Sequence, residues 1–525
     1  MAMRIMIQGT MSGVGKSLLT AALCRIFCLD GYRTVPFKSQ NMALNSFITR
    51  DGYEMGRAQV LQAQAAGREP DCRMNPILLK PTGDTGSQVI VNGQVYGDFS
   101  AVDYFRMKKK LIPVIMDSFG SLAAENDIIV IEGAGSPAEI NLKKDDIVNM
   151  GLAELVDAPV ILAGDIDPGG VFAQIYGTIK LLPDNEQKRI VGTVINKFRG
   201  DVEILRPGLK MLEDLTGVPV LGVVPYLKLD LDDEDSLSPR LSGKHVGRPL
   251  DIAVIRLPRI SNFTDFNPLE MHPLIGVRYV GTAGELGTPD LVILPGTKNT
   301  MEDLLWIRQN GLETAVKKLH DTGTPVLGIC GGYQMLGESL YDPEGVEHGG
   351  EMRGMGLIPC RTVFSKQKIQ TQTLNAAADG PFAGAVLNGY QVHMGQTYMV
   401  EKPDGQKETT DRRPEPLCHL SDGQKKTIGR KPEPFCHLQD GQPEGIIYGN
   451  VFGTYVHGLF DTGDLTSAMA DWLMERKGIT GMKDCESVKL RSRKEVLDEQ
   501  LDILAETVRN SIDIDKIYQI LRHCT

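Results

Sequence analysis

The feature that most constrains this chain is a cysteine between an apolar run and a helical pattern, in residues 328–334 (GICGGYQ). The apolar residues 325–327 predict the end of a buried strand, and residues 333–338 predict a helix. Glycines around Cys330 permit the crowded turn that exposes a side chain at such a junction. A helix N-terminus favours thiolate, the nucleophilic form of cysteine. The pattern therefore predicts a nucleophilic Cys330, the alternative being an ordinary buried cysteine.

The spacing Gly-x-Cys-x-Gly-x-Gln resembles the nucleophile elbow of class I glutamine amidotransferases. This resemblance implies an oxyanion hole made by the backbone N–H of Gly331 and that of Gly296 or Thr297, in the turn after the apolar run 291–294. His457 lies in a glycine-flanked stretch after a predicted strand, where a base facing Cys330 is needed.

His393 is the rival base. The position two residues after His457 is Leu459, and the nearest acid is Asp461. We therefore predict a Cys330–His457 dyad without an assigned third member.

A second chemical motif lies near the start of the chain, in residues 9–17 (GTMSGVGKS), between a predicted strand at 4–8 and a predicted helix at 18–27. Backbone N–H groups of such a loop cradle phosphates, a lysine reaches the outer phosphates, and a hydroxyl binds Mg²⁺. A chance glycine-rich loop is the alternative. The predicted ATP-binding residues are Gly9, Thr10, Ser12, Gly13, Val14, Gly15, Lys16 and Ser17.

Further apolar runs predict strands at 34–37, 128–132, 160–165, 190–196 and 220–224. Strands that alternate with helices form a parallel sheet whose ligands bind beyond the carboxyl ends of the strands. Glu132 ends one strand, so we predict that it binds Mg²⁺ with Ser17, a solvated acid being the alternative. Asp165 ends the strand at 160–165, and there it either binds Mg²⁺ or positions water, or it only stabilises a turn. The polar residues of the first half predict a binding surface with candidates Gln40, Asn41, Asn45, Asn141 and Asp165.

Composition limits the partners. A net charge of -11 argues against a general nucleic-acid binder. No apolar run approaches the roughly 20 residues of a membrane-spanning helix. Nine cysteines without the spacing of a disulfide framework are typical of a reducing cytoplasm. We expect a cytoplasmic enzyme acting on small molecules, and the sequence leaves open whether it forms a homo-oligomer.

A chain of 525 residues requires more than one core. We predict an ATP-dependent synthetase domain at 1–228, an acidic linker at 229–250, an amidotransferase domain at 251–480, and a helical tail at 481–525. An insertion at about 401–442 contains a near repeat, because residues 413–424 (RPEPLCHLSDGQ) resemble residues 431–442 (KPEPFCHLQDGQ). Its two Cys-His pairs are a candidate zinc site, but a local duplication explains them without metal.

Several longer stretches resemble the cobyric acid synthase family of corrinoid amidases: residues 39–46 (SQNMALNS), 75–81 (NPILLKP), 132–141 (EGAGSPAEIN), 260–266 (ISNFTDF) and 453–458 (GTYVHG). The phosphate loop is similar to that of dethiobiotin synthetase. The resemblance implies an α/β fold with an N-terminal P-loop NTPase-like domain (dethiobiotin-synthetase-like) and a C-terminal class I glutamine amidotransferase (flavodoxin-like) domain.

The resemblance also implies a reaction: ATP- and glutamine-dependent amidation of the b, d, e and g carboxylates of adenosylcobyrinic acid a,c-diamide, with Cys330 as nucleophile. ATP and Mg²⁺ are expected, the corrinoid is a substrate, and no permanently bound cofactor is expected. The alternatives are a cobyrinic acid a,c-diamide synthase, another carboxylate-amidating enzyme of the family, or a partitioning-type ATPase switch fused to an inactive amidotransferase domain.

Overall fold

The computed structural model describes residues 2–83, 86–231, 247–400, 431–479 and 493–523. The chain divides into two compact units. Unit 1 contains Met1–Ala43, Tyr53–Asp232 and Glu495–Thr525, and unit 2 contains Leu44–Gly52 and Asp233–Lys494. Each unit has its own hydrophobic core.

The described residues of the first half of the chain include twelve strands and eight α-helices. The strands are β1 (Met3–Gly9), β2 (Thr34–Phe37), β3 (Gln40–Met42), β4 (Ser46–Ile48), β5 (Glu54–Gly56), β6 (Ile77–Pro81), β7 (Gly86–Val91), β8 (Gln94–Ser100), β9 (Ile128–Glu132), β10 (Val160–Asp165), β11 (Ile190–Phe198) and β12 (Val220–Pro225). The helices are α1 (Lys16–Leu29), α2 (Arg57–Ala65), α3 (Ala101–Met107), α4 (Ile112–Glu125), α5 (Met150–Leu155), α6 (Val171–Leu181), α7 (Asp184–Gln187) and α8 (Val202–Thr216).

The main sheet of unit 1 has six parallel strands in the order β12-β11-β10-β1-β9-β2. Its central strands are buried throughout because helices cover both faces of a parallel sheet. The strands predicted at 34–37, 128–132 and 160–165 have these same bounds. A second sheet has the order β3-β6-β7-β8.

Two helices from the end of the chain, α15 (Arg493–Ser511) and α16 (Ile514–His523), complete the core of unit 1. Leu501, Leu504 and Val508 are buried in the same cluster as Ile5 and Phe27. The sequence predicted a helical tail here but not what this tail packs against. The predicted tail thus belongs to unit 1 from Glu495 onward, and its residues 480–492 lie outside the described ranges.

Unit 2 contains the remaining strands and helices. Its strands after β4 are β13 (Leu250–Ile255), β14 (Ile275–Val280), β15 (Leu291–Leu294), β16 (Val326–Ile329), β17 (Ser339–Asp342), β18 (Gly350–Arg353), β19 (Cys360–Ala378), β20 (Val386–Met399), β21 (Cys436–His437), β22 (Pro443–Glu444), β23 (Ile446–Tyr448), β24 (Val451–Thr454) and β25 (Val456–His457). Its helices are α9 (Asn267–Met271), α10 (Ala283–Leu286), α11 (Thr300–Gln309), α12 (Leu312–Asp321), α13 (Gly331–Leu336) and α14 (Asp464–Arg476).

The central sheet of unit 2 has the order β14-β13-β15-β16-β24-β23. Its five parallel strands follow the flavodoxin-like arrangement, and β23 adds an antiparallel edge. A second sheet contains the path β18-β17-β19-β20-β25, with β21 and β22 attached to β19. Because β25 pairs with β20, this second sheet brings residues 390–391 next to residues 456–457.

The predicted boundary at residue 228 omits one excursion, Leu44–Gly52, which packs with unit 2. The backbone N–H of Ser46 donates to the Asn262 side chain at 2.9 Å, and the Tyr390 hydroxyl donates to the Ser46 carbonyl at 2.8 Å. Ile48 is buried in a cluster with Tyr390 and Val392. These contacts are distant in sequence, so no local pattern could predict them.

The linker and the insertion are only partly described. Residues 232–246 of the linker and 401–430 of the insertion, including the first Cys-His pair, lie outside the described residues. In the second copy of the repeat, Cys436 is buried and its Sγ donates to Glu444 Oε2 at 3.6 Å. The described part of the chain holds no cluster of three or more candidate metal ligands.

Candidate active site

Cys330 lies between β16 and α13 in a strained backbone conformation, with φ +51° and ψ -109°. A non-glycine residue in this region is costly, and such strain concentrates at functional turns. The Cys330 N–H donates to the Thr454 carbonyl at 2.8 Å, which ties the turn to β24. The Sγ atom lies 3.6 Å from the Val392 carbonyl of β20.

The two glycines after Cys330 let α13 approach the end of β15. A Cβ atom on Gly332 would lie 1.9 Å from the Leu294 carbonyl oxygen, and one on Gly331 would lie 2.6 Å from Thr297 Cγ2. Only glycine fits at such distances. The close packing brings the turn after β15 beside Cys330.

That turn contains the candidate oxyanion-hole residues. The Thr297 nitrogen lies 3.2 Å from the position that a Cβ of Gly331 would occupy. Gly331 is the first residue of α13, so its N–H has no acceptor within the helix. At Gly296, a Cβ would lie 2.8 Å from His457 Cε1, and the carbonyl accepts from the Ser261 N–H. The geometry therefore places Thr297 beside Gly331, and Gly296 against the ring of His457.

His457 is buried, and its Nδ1 lies 2.7 Å from Asp265 Oδ2. The second carboxylate oxygen of Asp265 accepts from the Gly458 N–H at 2.9 Å. A carboxylate only accepts, so Nδ1 carries the hydrogen of this bond. Among the described residues, His457 Nε2 has no partner at ordinary hydrogen-bond distance, although the Cys330 sulfur is near enough to interact with the ring. Asp265 thus stands in the place of a third catalytic group, which the sequence left unassigned.

The charge state of His457 follows from these neighbours. Burial lowers the pKa of His457, but the Asp265 carboxylate and the Cys330 sulfur outweigh burial and raise the pKa to about 10. The imidazole is therefore protonated at neutral pH. A protonated histidine is the partner that a cysteine thiolate requires.

The phosphate loop of unit 1 joins β1 to α1. Gly15 takes φ +94°, a region that favours glycine, as the chain enters the helix. Two side chains from the end of β11 support the loop, because Asn196 donates to the Val14 carbonyl at 2.7 Å and Lys197 donates to the Gly13 carbonyl at 2.6 Å. Lys16 Nζ donates to the carbonyls of Met11 and Gly135, both at 3.0 Å.

Glu132 lies at the end of β9 next to this loop and is buried, so it is not a solvated acid. One carboxylate oxygen accepts from Ser17 Oγ at 2.9 Å and Lys38 Nζ at 2.8 Å, and the other accepts from Gln62 Nε2 at 2.5 Å. Magnesium prefers oxygen ligands and keeps waters and substrate phosphates in its shell. The hydroxyl and carboxylate oxygens of Ser17 and Glu132 fit such an ion. The ion pair of Glu132 with Lys38 was not predicted.

The five substrate-binding candidates are divided between the two units. Gln40, Asn41, Asn141 and Asp165 lie in unit 1, whereas Asn45 lies in the excursion that packs with unit 2. Asn141 is exposed, and Asp165 is paired with Lys197 at 2.7 Å. Asn45 is buried, and neither of its amide atoms has a hydrogen-bond partner among the described residues.

Comparison with known proteins gives matches over both units. A CobQ/CobB/MinD/ParA nucleotide binding domain model matches residues 5–236, and a CobB/CobQ-like glutamine amidotransferase domain model matches residues 251–465. The chain is 54% identical to a protein named cobyric acid synthase from Ruminiclostridium cellulolyticum. It is 52% identical to a protein of the same name from Lachnoclostridium phytofermentans and 49% identical to one from Clostridium acetobutylicum. Each match covers 99% of this chain, and 97%, 99% and 98% of the respective relatives.

The chain belongs to the cobyric acid synthase family. Membership confirms the predicted resemblance and the two-part α/β fold, a P-loop nucleotide-binding domain followed by a class I amidotransferase domain. Like the family, the chain is a glutamine-dependent amide ligase of cobalamin biosynthesis. Within the described ranges, no helix has the length and apolar character needed to span a membrane.

For this cobyric acid synthase family member, the surroundings of the two histidines differ. His393 Nδ1 lies 2.7 Å from the Gly395 carbonyl, and the ring stacks on Tyr455 with 3.7 Å between centroids. Burial lowers the pKa of His393 to about 4. His457 has a carboxylate partner and His393 bonds only a carbonyl, so the geometry favours His457 as the base.

Asp265 is the residue of the candidate site that sequence reasoning missed. It lies 192 positions before His457 in the chain. The only available signal was its place in residues 260–266, a stretch that carried the family resemblance but no assigned role. Asp461, the nearest acid in sequence, instead lies 3.5 Å from Arg493.

Proposed function

We propose that the protein catalyses the ATP- and glutamine-dependent amidation of the b, d, e and g carboxylates of adenosylcobyrinic acid a,c-diamide, giving adenosylcobyric acid. The observation that carries this proposal is the near-complete match to proteins named cobyric acid synthase, at about half identity or more. The Cys330–His457–Asp265 arrangement and the phosphate loop supply sites for the two half-reactions.

The first half-reaction releases ammonia from glutamine. Cys330 Sγ attacks the side-chain carboxamide carbon, and the N–H groups of Gly331 and Thr297 hold the oxygen as it gains negative charge. His457 gives its Nε2 proton to the departing nitrogen, which leaves as ammonia. Water then attacks the thioester while His457 accepts a proton, and glutamate leaves. Asp265 fixes the tautomer and orientation of His457 throughout.

The second half-reaction activates a carboxylate, which is a poor electrophile. A substrate carboxylate oxygen attacks the γ-phosphorus of ATP, ADP leaves, and an acyl phosphate forms. The backbone of the loop and Lys16 hold the phosphates. Ser17 and Glu132 would hold Mg²⁺, which when bound neutralises phosphate charge. Ammonia then attacks the acyl carbon and loses a proton, and inorganic phosphate leaves with the carboxylate oxygen that attacked phosphorus, while the other carboxylate oxygen remains as the amide carbonyl.

The alternative within the family, a cobyrinic acid a,c-diamide synthase, shares both half-reactions and differs in substrate. The test offers the purified protein ATP, Mg²⁺ and glutamine with either cobyrinic acid or its a,c-diamide, and follows product mass. Each conversion replaces OH by NH₂, so amidations are counted directly. We expect the a,c-diamide to gain amides at all the remaining target carboxylates. Amidation of cobyrinic acid alone, stopping at the a,c-diamide, would overturn the proposal.

The roles of the two sites are separated by nitrogen source. The C330S variant is expected to lose glutamine-dependent amidation and glutamine hydrolysis, since serine lacks an activated thiolate. Ammonium salts are expected to support amidation by the same variant. Undiminished glutamine consumption by C330S would exclude Cys330 as the nucleophile.

A further inference from the structure

His393 carries a buried nitrogen whose role the proposed chemistry does not explain. Its Nδ1 faces the Gly395 carbonyl at 2.7 Å, and a carbonyl only accepts, so Nδ1 carries the hydrogen. The low pKa of His393, which follows from burial, keeps the ring neutral at physiological pH. Nε2 is therefore a bare acceptor. It has no hydrogen-bond partner among the described residues, and His393 is 7% exposed.

A buried acceptor without a donor is destabilising, and buried polar groups in native proteins are rarely left unpaired. The Gly395 bond and the stacked Tyr455 ring hold the imidazole in this orientation. The unpaired nitrogen is thus a property of a fixed side chain rather than of a freely rotating one. Such a group points to a ligand that brings the missing donor.

The surroundings of His393 belong to the nucleophile site. The peptide carbonyl that precedes His393, that of Val392, lies 3.6 Å from Cys330 Sγ. Gln334, from the elbow helix, donates to the Tyr455 hydroxyl at 3.4 Å, and a Cβ on Gly395 would lie 2.5 Å from Gln334 Nε2. The His393 ring therefore lies in the group of residues that surrounds Cys330.

We propose that His393 Nε2 accepts a hydrogen bond from the side-chain NH₂ of glutamine and so distinguishes glutamine from glutamate. This inference rests on the proposed glutaminase function. With the amide oxygen held by Gly331 and Thr297, the NH₂ group is the remaining polar part of the carboxamide. Glutamate presents only acceptors, and its carboxylate oxygen would face the lone pair of Nε2.

The same discrimination favours turnover. Thioester formation and its hydrolysis together convert a carboxamide, which donates to Nε2, into a carboxylate, which cannot. The product glutamate is then repelled from the position that the substrate occupied. A site that hydrogen-bonds a substrate N–H discriminates strongly against an analogue that lacks it. His393 is accordingly a specificity-determining residue, while His457 transfers the protons.

Two substitutions at His393 distinguish the roles of its two ring nitrogens. In H393N, the side-chain NH₂ can replace Nδ1 as donor to the Gly395 carbonyl, but no atom reaches the position of Nε2. In H393Q, a polar atom can reach the position of Nε2, but the short contact to Gly395 is lost. His320 on α12, which lies beside Asp321, provides the matched control H320Q.

The measurements are kcat and KM for glutamine hydrolysis, Ki for L-glutamate, and thermal unfolding of the full-length variants. We expect H393N to raise the KM for glutamine roughly 10-fold, the effect of one lost hydrogen bond. The ratio of the Ki for glutamate to the KM for glutamine should fall. The pH dependence of the hydrolysis rate should not shift. H393Q should retain more of the wild-type discrimination, and H320Q should match the wild type.

Several outcomes would overturn the inference. The first is that H393N has the same ratio of KM for glutamine to Ki for glutamate as the wild type. The second is a lower kcat in H393N at unchanged KM, with a shifted pH dependence of kcat. That result would make His393 a base. The third is equal loss in H393N and H393Q together with lowered unfolding temperatures, which would make its role structural. Failure of wild-type amidation of the a,c-diamide with ammonium salts would contradict the corrinoid assignment alone, because that reaction bypasses glutamine.

Discussion

Asp265 holds His457 through both carboxylate oxygens, one on the ring Nδ1 and one on the Gly458 backbone N–H. The first bond fixes the tautomer, and the second fixes the backbone that carries the ring. The Tyr390 ring stacks on the imidazole of His457, with 5.6 Å between the ring centroids. At the scale of single residues, the base is therefore positioned before any substrate binds.

Replacing the carboxylate by an amide tests this role. The D265N variant should lower kcat for glutamine hydrolysis by roughly 10²- to 10⁴-fold, because an amide can favour the wrong imidazole tautomer. Steady-state release of glutamate measures the effect. D461N is the matched control, since Asp461 is the acid nearest to His457 in sequence and is not bonded to its ring. A larger loss in D461N than in D265N would contradict the assignment.

The raised pKa of His457 also makes stability depend on pH. The pKa rises from 6.5 to about 10 on folding, so the folded state binds the proton more tightly than the unfolded state. The stabilisation is complete below about pH 6.5 and is lost as pH rises toward 10. Urea titrations between pH 6 and 10 should show this loss in the wild type. The H457Q variant should lack that component, and an unchanged slope in H457Q would refute the linkage.

At the scale of elements, helices α15 and α16 form part of the core of unit 1. Helices α15 and α16 place Leu504, Val508 and Ile517 in the core that contains the first strand and first helix. The Asp513 N–H donates to the Leu221 carbonyl at 2.8 Å, which joins the helix pair to the edge strand β12. The core of unit 1 thus combines residues from the first strand and helix with residues from α15 and α16.

Substitutions at two neighbouring residues of α15 test whether this helix is part of the core. Leu504 is 2% exposed and Ile503 is 41% exposed. L504A should lower the free energy of unfolding by about 2–5 kcal/mol, because it removes buried methyl groups and leaves a cavity. I503A should change it by about 0.5 kcal/mol or less, as surface substitutions usually do. Urea unfolding of the full chain measures both, and equal effects would show that α15 is not part of the core.

At the scale of the whole molecule, each of the two units has its own core and its own candidate site. Cys330, His457 and Asp265 all lie in unit 2, whereas Lys16, Ser17 and Glu132 all lie in unit 1. Each set is held by bonds within its own unit. The two half-reactions should therefore be separable by mutation.

The K16M variant makes this separation measurable. Loss of the Lys16 charge should stop amidation with glutamine and with ammonium salts alike, because the acyl phosphate no longer forms. Glutamine hydrolysis measured in the absence of corrinoid should continue. Normal amidation by K16M with ammonium salts would contradict the assignment of Lys16 to the ATP site.

Local patterns predicted much of the fold. A buried strand, a glycine-rich loop and a helix follow one another at residues 3–29, and the same order recurs around Cys330. Both motifs lie within a few residues, so short-range sterics and periodicity specify them. The excursion at Leu44–Gly52 lacks such a signal because its partners, Asn262 and Tyr390, lie more than 200 positions away.

What the sequence by itself determined was the two motifs and the sheets that carry them: a cysteine at a strand–helix turn and a lysine in a glycine-rich loop, which together indicate the proposed chemistry. What only the tertiary structure decided was which distant groups complete each site, namely Asp265 for His457 and Lys38 for Glu132. The physical reason is range. Backbone preferences act between neighbours in the chain, whereas a buried charge is assigned its partner only when folding excludes water around both.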